Sequence, residues 1–353
     1  MRRVIVKLHL LGGFTAAIFV IVLGVTGALM AFEEEIDHVT HPHLFRVSPS
    51  GNSIPLEDLG RRAAAAFPGS RIVAYGLGVV PSLSSSVILQ GKSVYMNQYS
   101  GEILGVRSGP TWLNQVHQLH LRLLAGDAGK TIVSWAGVLM ALLTCSGLYL
   151  WWPVKRVSIM WSAGGRRAWF DLHNAVGVVS FVFFFSLALT GVVIGFESRT
   201  VPLLYRITGS EPLRPPGPVA LRPGAPLLGP DAALAAARAA MPGAAPVFIN
   251  VAGPRTAYRI AMRFPEDLTP GGRTRVFVDP YTGAVLQAES SRTTAAGTRL
   301  VNLNRAIHTG DVFGVPTKIL MSVASLAAVV QVVSGLMMWS RRRLSSSAAR
   351  TPR

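Results

Sequence analysis

The chain has 353 residues, of which 50% are hydrophobic and 14% charged, whereas soluble domains carry about 25% charged residues. The net charge of +17 prompts the idea of nucleic-acid binding. The basic residues flank apolar stretches instead of gathering on a polar domain, so nucleic acid is excluded as a partner. The only cysteine, Cys145, excludes a disulfide framework within the chain, a cysteine-based zinc site, an iron–sulfur cluster and c-type haem.

Four apolar stretches are predicted to be transmembrane helices, because roughly 20 apolar residues cross about 30 Å of hydrocarbon. They cover residues 9–32, 131–152, 173–196 and 315–339. The first is too long for the apolar region of a signal peptide, and it ends in Glu33, Glu34 and Glu35 without a small-residue cleavage site. We therefore expect this stretch to be retained as a membrane span.

The charges beside these stretches predict the orientation of the chain. Twelve basic residues and one acid, Asp171, lie in the termini and the short middle loop, while the other sixteen acids lie in the two long connections. The positive-inside rule places both termini and the middle loop in the cytoplasm, and both long connections in the periplasm of a bacterial inner membrane. The twelve basic residues are Arg2, Arg3, Lys7, Lys155, Arg156, Arg166, Arg167, Arg341, Arg342, Arg343, Arg350 and Arg353.

An internal repeat relates the two halves of the chain. Helices 1 and 3 each begin with a histidine and carry a Thr-Gly pair with its glycine eighteen residues later. A histidine also precedes helices 2 and 4, each with a Ser-Gly pair whose glycine follows after twenty-seven residues. The matching pairs are His9 and Gly27 with His173 and Gly191, and His120 and Gly147 with His308 and Gly335.

The two long connections repeat as well. Each has an alanine-rich segment, at 63–66 and 235–240, and each closes on a Tyr-Ser/Thr-Gly turn, at 99–101 and 281–283. Each is read as a helix followed by strands. The predicted fold is therefore a mainly α membrane protein with four transmembrane helices, two small periplasmic α+β domains and an internal duplication.

The predicted boundaries are helix 1 at 1–32, domain 1 with its His-bearing segment at 33–130, helix 2 at 131–153, the cytoplasmic loop at 154–171, helix 3 at 172–196, domain 2 with its His-bearing segment at 197–314, helix 4 at 315–340 and the cytoplasmic tail at 341–353.

Four histidines occupy duplicated positions and are candidate metal ligands. The topology puts His9 and His173 at the cytoplasmic face, and His120 and His308 at the periplasmic face. A single histidine in such a place is often a packing residue, but a pair across a helix bundle suits the axial positions of haem iron. Nearby glycines either make room for a flat macrocycle or serve close helix packing; they are Gly12, Gly13 and Gly177.

Other polar residues give weaker signals. His117 lies one helical turn before His120 and is interpreted as its neighbour or as a substitute ligand, with Arg305 at the matching place in the second half. A second group follows Glu33 and is interpreted as a solvated polar loop in preference to a transition-metal site; it consists of His38, His41 and His43. Glu33 and Glu197 repeat, as helix-end residues or as part of a site near the periplasmic surface.

The sequence resembles the PepSY-associated transmembrane family over nearly its whole length. The resemblance rests on Leu119-His120-x-x-Leu-Leu-x-Gly126-x-x-Gly129, on the segment from Ser146 to Pro153, and on the Leu-His or Ile-His pairs that contain the other three histidines. It implies PepSY-like periplasmic domains and two b-type haems per chain, bound by His9 with His173 and by His120 with His308. Some members are iron-regulated ferric-siderophore reductases, which implies reduction of a ferric siderophore or other ferric chelate in the periplasm to release Fe(II).

The short cytoplasmic segments contain no glycine-rich nucleotide-binding fingerprint, so the electron donor is expected to be a quinol or a cytoplasmic reductase. Two other functions stay open at this point. The chain could be a non-redox accessory protein that binds peptides, a protease or siderophore-processing partners, with its histidines as packing residues. It could also be a metal or small-solute transporter that uses the histidine pairs as relay sites.

Overall fold

A computed structural model describes residues 1–153, 155 and 157–348, without the side chains of residues 163 and 342–348. Arg156, Arg350 and Arg353, three of the predicted flanking cations, lie outside these residues, as does the end of the predicted tail. The described chain forms two compact units. The helical unit comprises residues 1–33, 111–203 and 303 onward, and the sheet unit comprises residues 34–110 and 204–302.

The described helices are α1 (Arg2–Met30), α2 (Glu33–Thr40), α3 (Pro42–Phe45), α4 (Leu56–Ala66), α5 (Trp112–Arg122), α6 (Gly126–Trp151), α7 (Gly165–Val179), α8 (Phe181–Gly195), α9 (Glu197–Ile207), α10 (Pro230–Ala240), α11 (Ala296–Thr309) and α12 (Val315–Ala348). The described strands are β1 (Ile72–Gly76), β2 (Ser85–Leu89), β3 (Lys92–Met96), β4 (Ile103–Ser108), β5 (Ala245–Asn250), β6 (Tyr258–Arg263), β7 (Thr274–Val278) and β8 (Val285–Glu289).

Three helices are long and apolar enough to cross a membrane: α1, α6 and the first 27 residues of α12. The third predicted span, at 172–196, is not one straight helix. It divides into α7 and α8, which meet at a bend of 63° and together pass the same test. The break falls at Ser180, whose ψ of 2° departs from the helical value of about −42°. The fourth helix also passes its predicted end at 340, since α12 continues to Ala348.

Apolar side chains and small residues hold the helical unit together. Its core joins Ala16 and Val20 of α1 to Phe184 of α8 and Ala328 of α12, while many leucines, valines and isoleucines remain exposed on the helices. Such an exterior suits lipid, where every helical backbone group is satisfied internally. The main packing is of α1 on α12 and α6, of α6 on α8, and of α7 on α12. The repeat relates helix 1 to helix 3 and helix 2 to helix 4, but these equivalent helices are not the ones whose bodies make the main packing contacts.

The histidine-bearing segments belong with the helices and not with the long connections, where we had placed them. Thr111 begins α5 with a capping box, accepting from the backbone N–H of Asn114 at 3.2 Å. Helix α5 packs against α1 and α6. The residues of α5, which the prediction included in the domain at 33–130, therefore belong to the helical unit. The final turns of α11, from Leu303 onward, join the same unit.

The two predicted α+β domains form one sheet unit. Its eight antiparallel strands run in the order β4-β3-β2-β1-β5-β6-β7-β8, so each long connection contributes four adjacent strands. The halves join where β1 pairs with β5, with Tyr75 opposite Ile249. A strand of one half would otherwise leave an unpaired edge at this position, and pairing with the other half removes it.

The core of the sheet unit lies between the sheet and the helices α4 and α10. Leu59 and Ala63 of α4 pack with Ala233 and Ala237 of α10 over the buried face of the strands. The Asp231 carboxylate accepts the backbone N–H groups of Leu56 and Glu57, each at 2.9 Å. A side chain of α10 thus caps the start of α4, where helical N–H groups lack partners.

The Tyr-Ser/Thr-Gly turns adopt matching structures in the two halves. Gly101 and Gly283 have φ values of 75° and 71°, a left-handed conformation that glycine adopts without strain. The hydroxyl of Tyr99 donates to the carbonyl of Pro81, and that of Tyr281 to the carbonyl of Pro254, both at 2.9 Å.

Replacing Gly24 by alanine is expected to destabilise the helical unit. A β-carbon at this position would lie 2.7 Å from the carbonyl oxygen of Ser325, so α1 and α12 would have to separate. Overpacking of this kind costs about 1–3 kcal/mol. Gly271→Ala is the control, because a β-carbon at this exposed turn position has nothing within 4 Å. Thermal unfolding of the detergent-solubilised chain should show a lower midpoint for Gly24→Ala alone; equal midpoints would contradict this packing.

Candidate functional site

The helical unit brings the four duplicated histidines together in two pairs. The ring centres of His9, on α1, and His173, on α7, are 6.4 Å apart. The ring centres of His120, on α5, and His308, on α11, are 6.3 Å apart. These are the pairs expected from the repeat, and all four side chains are half-buried.

In the first pair, each ring is held by a serine of the helix beside it. Nδ1 of His9 lies 2.8 Å from Oγ of Ser146, and Nδ1 of His173 lies 3.0 Å from Oγ of Ser334. The backbone carbonyl of Gln331 lies 3.1 Å from the same nitrogen of His173. Each serine is the first residue of a repeated Ser-Gly pair, so the two halves use equivalent residues.

In the second pair, threonines take the place of the serines. Nδ1 of His120 lies 2.9 Å from Oγ1 of Thr26, and Nδ1 of His308 lies 2.9 Å from Oγ1 of Thr190. Both threonines begin the repeated Thr-Gly pairs of α1 and α8. Four hydroxyls therefore make the same contact with four histidines.

A glycine follows each hydroxyl and lies beside the ring. A β-carbon on any of these four glycines would lie 3.1–3.5 Å from Cε1 of the neighbouring histidine. The distances of 3.1 Å at Gly27 and 3.2 Å at Gly191 are tight, so these two glycines give the ring room to approach, whereas a β-carbon on Gly147 or Gly335 would make ordinary van der Waals contact. The full set is Gly27 beside His120, Gly147 beside His9, Gly191 beside His308 and Gly335 beside His173.

A cavity of about 390 Å³ contains His9 and His173 in its wall. Its volume lies within the range of about 300–1,000 Å³ that is typical of small-molecule and cofactor sites. The wall is mostly apolar, and Arg2 and Arg166 are among its few charged residues. The structure combines an apolar cavity, two imidazoles and two guanidinium groups at this site.

The glycines beside the first pair divide between their two predicted roles. Gly13 and Gly177 line the cavity, as expected for residues that make room for a ligand, but a β-carbon on Gly177 would also overlap the side-chain amide of Gln331, which is a helix-packing contact. A β-carbon on Gly12 would instead lie 3.2 Å from a methyl group of Leu143, which is the close helix packing of the other interpretation.

His117 does not join either pair of rings. Its Nδ1 lies 3.1 Å from Oε2 of Glu33, so the structure places it as a neighbour of His120 with a carboxylate partner of its own. The matching carboxylate of the second half, Glu197, accepts instead from Nζ of Lys130 at 2.7 Å. The two repeated glutamates therefore have different partners.

The segment with His38, His41 and His43 is not the open loop that we expected. It forms the short helices α2 and α3, in which Nδ1 of His41 lies 3.0 Å from Oδ1 of Asp37. The His38 ring packs against Phe45 with the ring centres 4.3 Å apart. Among the described residues, no group of three or more His, Cys, Asp or Glu side chains is arranged to hold a metal ion.

Asp37 also forms an ion pair that the sequence did not reveal. Nη1 and Nη2 of Arg107 each donate to the carboxylate of Asp37 at 2.6 Å. Both side chains are less than one-fifth exposed. Burial by itself raises the pKa of Asp37, but the hydrogen bonds and charge of Arg107, with His41, leave this pKa below its ordinary value of 3.8. Seventy residues separate Asp37 from Arg107, so no local pattern connects them.

The fold and the site define an integral membrane protein with an α+β sheet unit and paired histidines inside its helical unit. A search among curated proteins finds no match. The sequence matches the family described as the PepSY-associated TM region over residues 6–342, and the chain belongs to that family.

Asp37→Asn is expected to destabilise the chain at neutral pH, because Arg107 keeps its hydrogen bonds to a neutral side chain only in part. Hydrogen bonds to charged groups contribute about 1.5–3 kcal/mol. The depressed pKa means that the stabilisation is present above pH 3.8 and is lost as the pH falls through the lower folded-state value. Unfolding midpoints measured from pH 7 to pH 3 should converge for wild type and Asp37→Asn. Glu102→Gln, at an exposed carboxylate, is the control; a constant difference across this range would contradict the interpretation.

Proposed function

We propose that this chain is a di-haem b electron-transfer protein of the bacterial inner membrane that reduces ferric chelates, such as ferric siderophores, in the periplasm. The observation that carries the proposal is that the four duplicated histidines converge in two half-buried pairs. Their ring centres are 6.4 Å and 6.3 Å apart, a separation at which both imidazoles of a pair could bind one iron.

Bond lengths explain why this separation fits a shared metal ion. Metal–histidine nitrogen bonds are about 2 Å long. A five-membered ring with bonds of about 1.35 Å has its centre about 1.15 Å from each nitrogen. Two imidazoles that shared one metal ion would therefore have ring centres about 6.3 Å apart. The rings of His41 and His43 in the sheet unit are also 6.3 Å apart, so the distance supports a ligand role only together with the duplicated positions of the two pairs in the helical unit.

The wall of the cavity also fits haem. A porphyrin is flat and apolar except for two propionates, and its binding needs an apolar space with cations near its edge. His9 and His173 would bind the iron from α1 and α7, and Arg2 and Arg166 would pair with the propionates. His120 and His308 would hold the second haem. When bound, haem supplies reversible one-electron transfer at each site.

The orientation supports reduction in the periplasm. Under the positive-inside rule, the basic termini and middle loop lie in the cytoplasm, which puts His9 and His173 at the cytoplasmic face and His120 and His308 at the periplasmic face. The sheet unit then lies in the periplasm. It carries 17 Lys and Arg against 12 Asp and Glu, a net charge of +5, which would attract anionic chelates.

The chemistry of the substrate is consistent with a single electron transfer. Siderophores hold Fe(III) through hard oxygen ligands, and Fe(II) binds such ligands much less tightly. One electron therefore releases the metal and leaves the chelator intact. The proposed electron donor is a quinol, which would bind from the membrane, or a reductase, which would bind from the cytoplasm.

Purified protein expressed with a haem precursor should give b-type absorption bands, with about two haems per chain. His9→Ala and His173→Ala should each remove the same haem, and His120→Ala and His308→Ala the other, because each pair shares one iron. A double variant within one pair should keep one haem, and a double variant across the pairs should keep none. His43→Ala, at an exposed histidine, is the control. A protein without haem bands would instead favour a non-redox accessory role.

Reduced protein is expected to pass its electrons to a ferric chelate. Under anaerobic conditions, mixing the dithionite-reduced and desalted chain with a ferric siderophore should reoxidise the haem bands and produce Fe(II), measured with a chromogenic Fe(II) chelator. The gallium complex of the same siderophore is the control, since Ga(III) matches the charge but does not accept an electron. Haem that stays reduced with the ferric complex would mean that the physiological acceptor is another molecule.

A further inference from the structure

The hydroxyls beside the histidines also donate hydrogen bonds of their own. Oγ1 of Thr26 donates to the carbonyl of Val22 at 2.7 Å, and Oγ1 of Thr190 donates to the carbonyl of Ser186 at 2.6 Å. Each carbonyl lies one turn earlier in the same helix, so both hydroxyl protons are engaged within their helices.

The two serines behave in the same way. Oγ of Ser146 donates to the carbonyl of Leu143 at 3.0 Å, and Oγ of Ser334 donates to the carbonyl of Val330 at 2.7 Å. Each of the four hydroxyls therefore donates its single proton to a backbone carbonyl and presents its lone pairs to a histidine.

This arrangement determines the protonation of the imidazoles. A hydroxyl has one proton, and when a carbonyl receives it, the contact with Nδ1 needs a proton from the ring. Each histidine is then the tautomer with hydrogen on Nδ1, and Nε2 keeps a free lone pair. A metal ligand needs that lone pair, and histidine ligands commonly fix it by donating from the other nitrogen.

We propose that four hydroxyls, together with the glycines that follow two of them, are positioning residues for the histidines. This inference rests on the haem-binding function proposed above. Each hydroxyl fixes the Nδ1–H tautomer, and Gly27 and Gly191 also admit the ring to hydrogen-bonding distance. The four hydroxyls are those of Thr26, Ser146, Thr190 and Ser334.

The four histidines do not depend equally on their hydroxyls. His173 has a second acceptor, the carbonyl of Gln331, at 3.1 Å. Within the described part of the chain, the hydrogen-bond partner of Nδ1 of His9 is Ser146. Removing this hydroxyl leaves that N–H without an acceptor.

The test compares Ser146→Ala with Ser334→Ala, which make the same chemical change at equivalent positions. Second-shell changes of this kind typically weaken metal affinity by roughly 10- to 100-fold. We expect Ser146→Ala to weaken haem retention at the His9 and His173 site within this range, and Ser334→Ala to weaken it less, because the Gln331 carbonyl remains.

The redox potential separates positioning from simple packing. Donation from Nδ1–H makes the imidazole a more basic ligand, which favours Fe(III). In a redox titration, Ser146→Ala should therefore shift one haem to a more positive potential, with a changed electron paramagnetic resonance spectrum, and should leave the other haem unaltered. Ser146→Thr should restore both, since threonine makes this contact at Thr26 and Thr190.

The outcomes distinguish this inference from the proposed function. Wild type without haem would contradict the proposed function. Wild type with two haems, and Ser146→Ala with unchanged potential, spectrum and haem retention, would overturn the positioning role and leave the function intact. If Ser146→Ala does not fold, ¹⁵N-histidine NMR of the full-length chain purified without haem gives the answer. Protonated Nδ1 with unprotonated Nε2 on His9 supports the inference, and the reverse tautomer overturns it.

Discussion

An imidazole inside an apolar helix bundle needs an acceptor for its N–H, because an unpartnered polar group in such surroundings is costly. In the helical unit, Nδ1 of each of the four histidines lies 2.8–3.0 Å from a hydroxyl of another helix. The contacts join α1 to α6, α12 to α7, α5 to α1, and α11 to α8. The bonds that orient the histidines therefore also connect the membrane helices to one another and to the short helices at their ends.

Small residues make these contacts possible. Gly27 and Gly191 let an imidazole reach the neighbouring helix, and Gly24 lets α1 approach α12 so closely that a β-carbon would lie 2.7 Å from a backbone carbonyl. Close approach brings the rings of each pair to 6.4 Å and 6.3 Å. The distance between the rings of each pair thus depends on helix packing, and not on the histidines alone.

The spacing of histidines and glycines along the two halves was enough to predict which residues pair, since a repeat places equivalent residues at equivalent depths. The same Ser-Gly and Thr-Gly pairs served as markers of that repeat, but nothing in the sequence showed that their hydroxyls contact the rings. Those contacts join residues 94 to 161 positions apart, at distances that only the packed helices fix. The ion pair of Asp37 with Arg107 was not predicted either, because it also joins residues that are far apart along the chain.

The sequence by itself determined where the apolar segments lie, how the repeated motifs are spaced, and the Tyr-Ser/Thr-Gly turns, because periodicity and glycine conformation act over short distances. Tertiary structure alone decided that four strands from each long connection join in one sheet, that the third span breaks at Ser180, and that the histidine-bearing helices belong with the membrane helices. These outcomes depend on which distant surface buries an apolar face or pairs a strand edge. No local stretch of sequence shows which distant surface or strand edge it will contact.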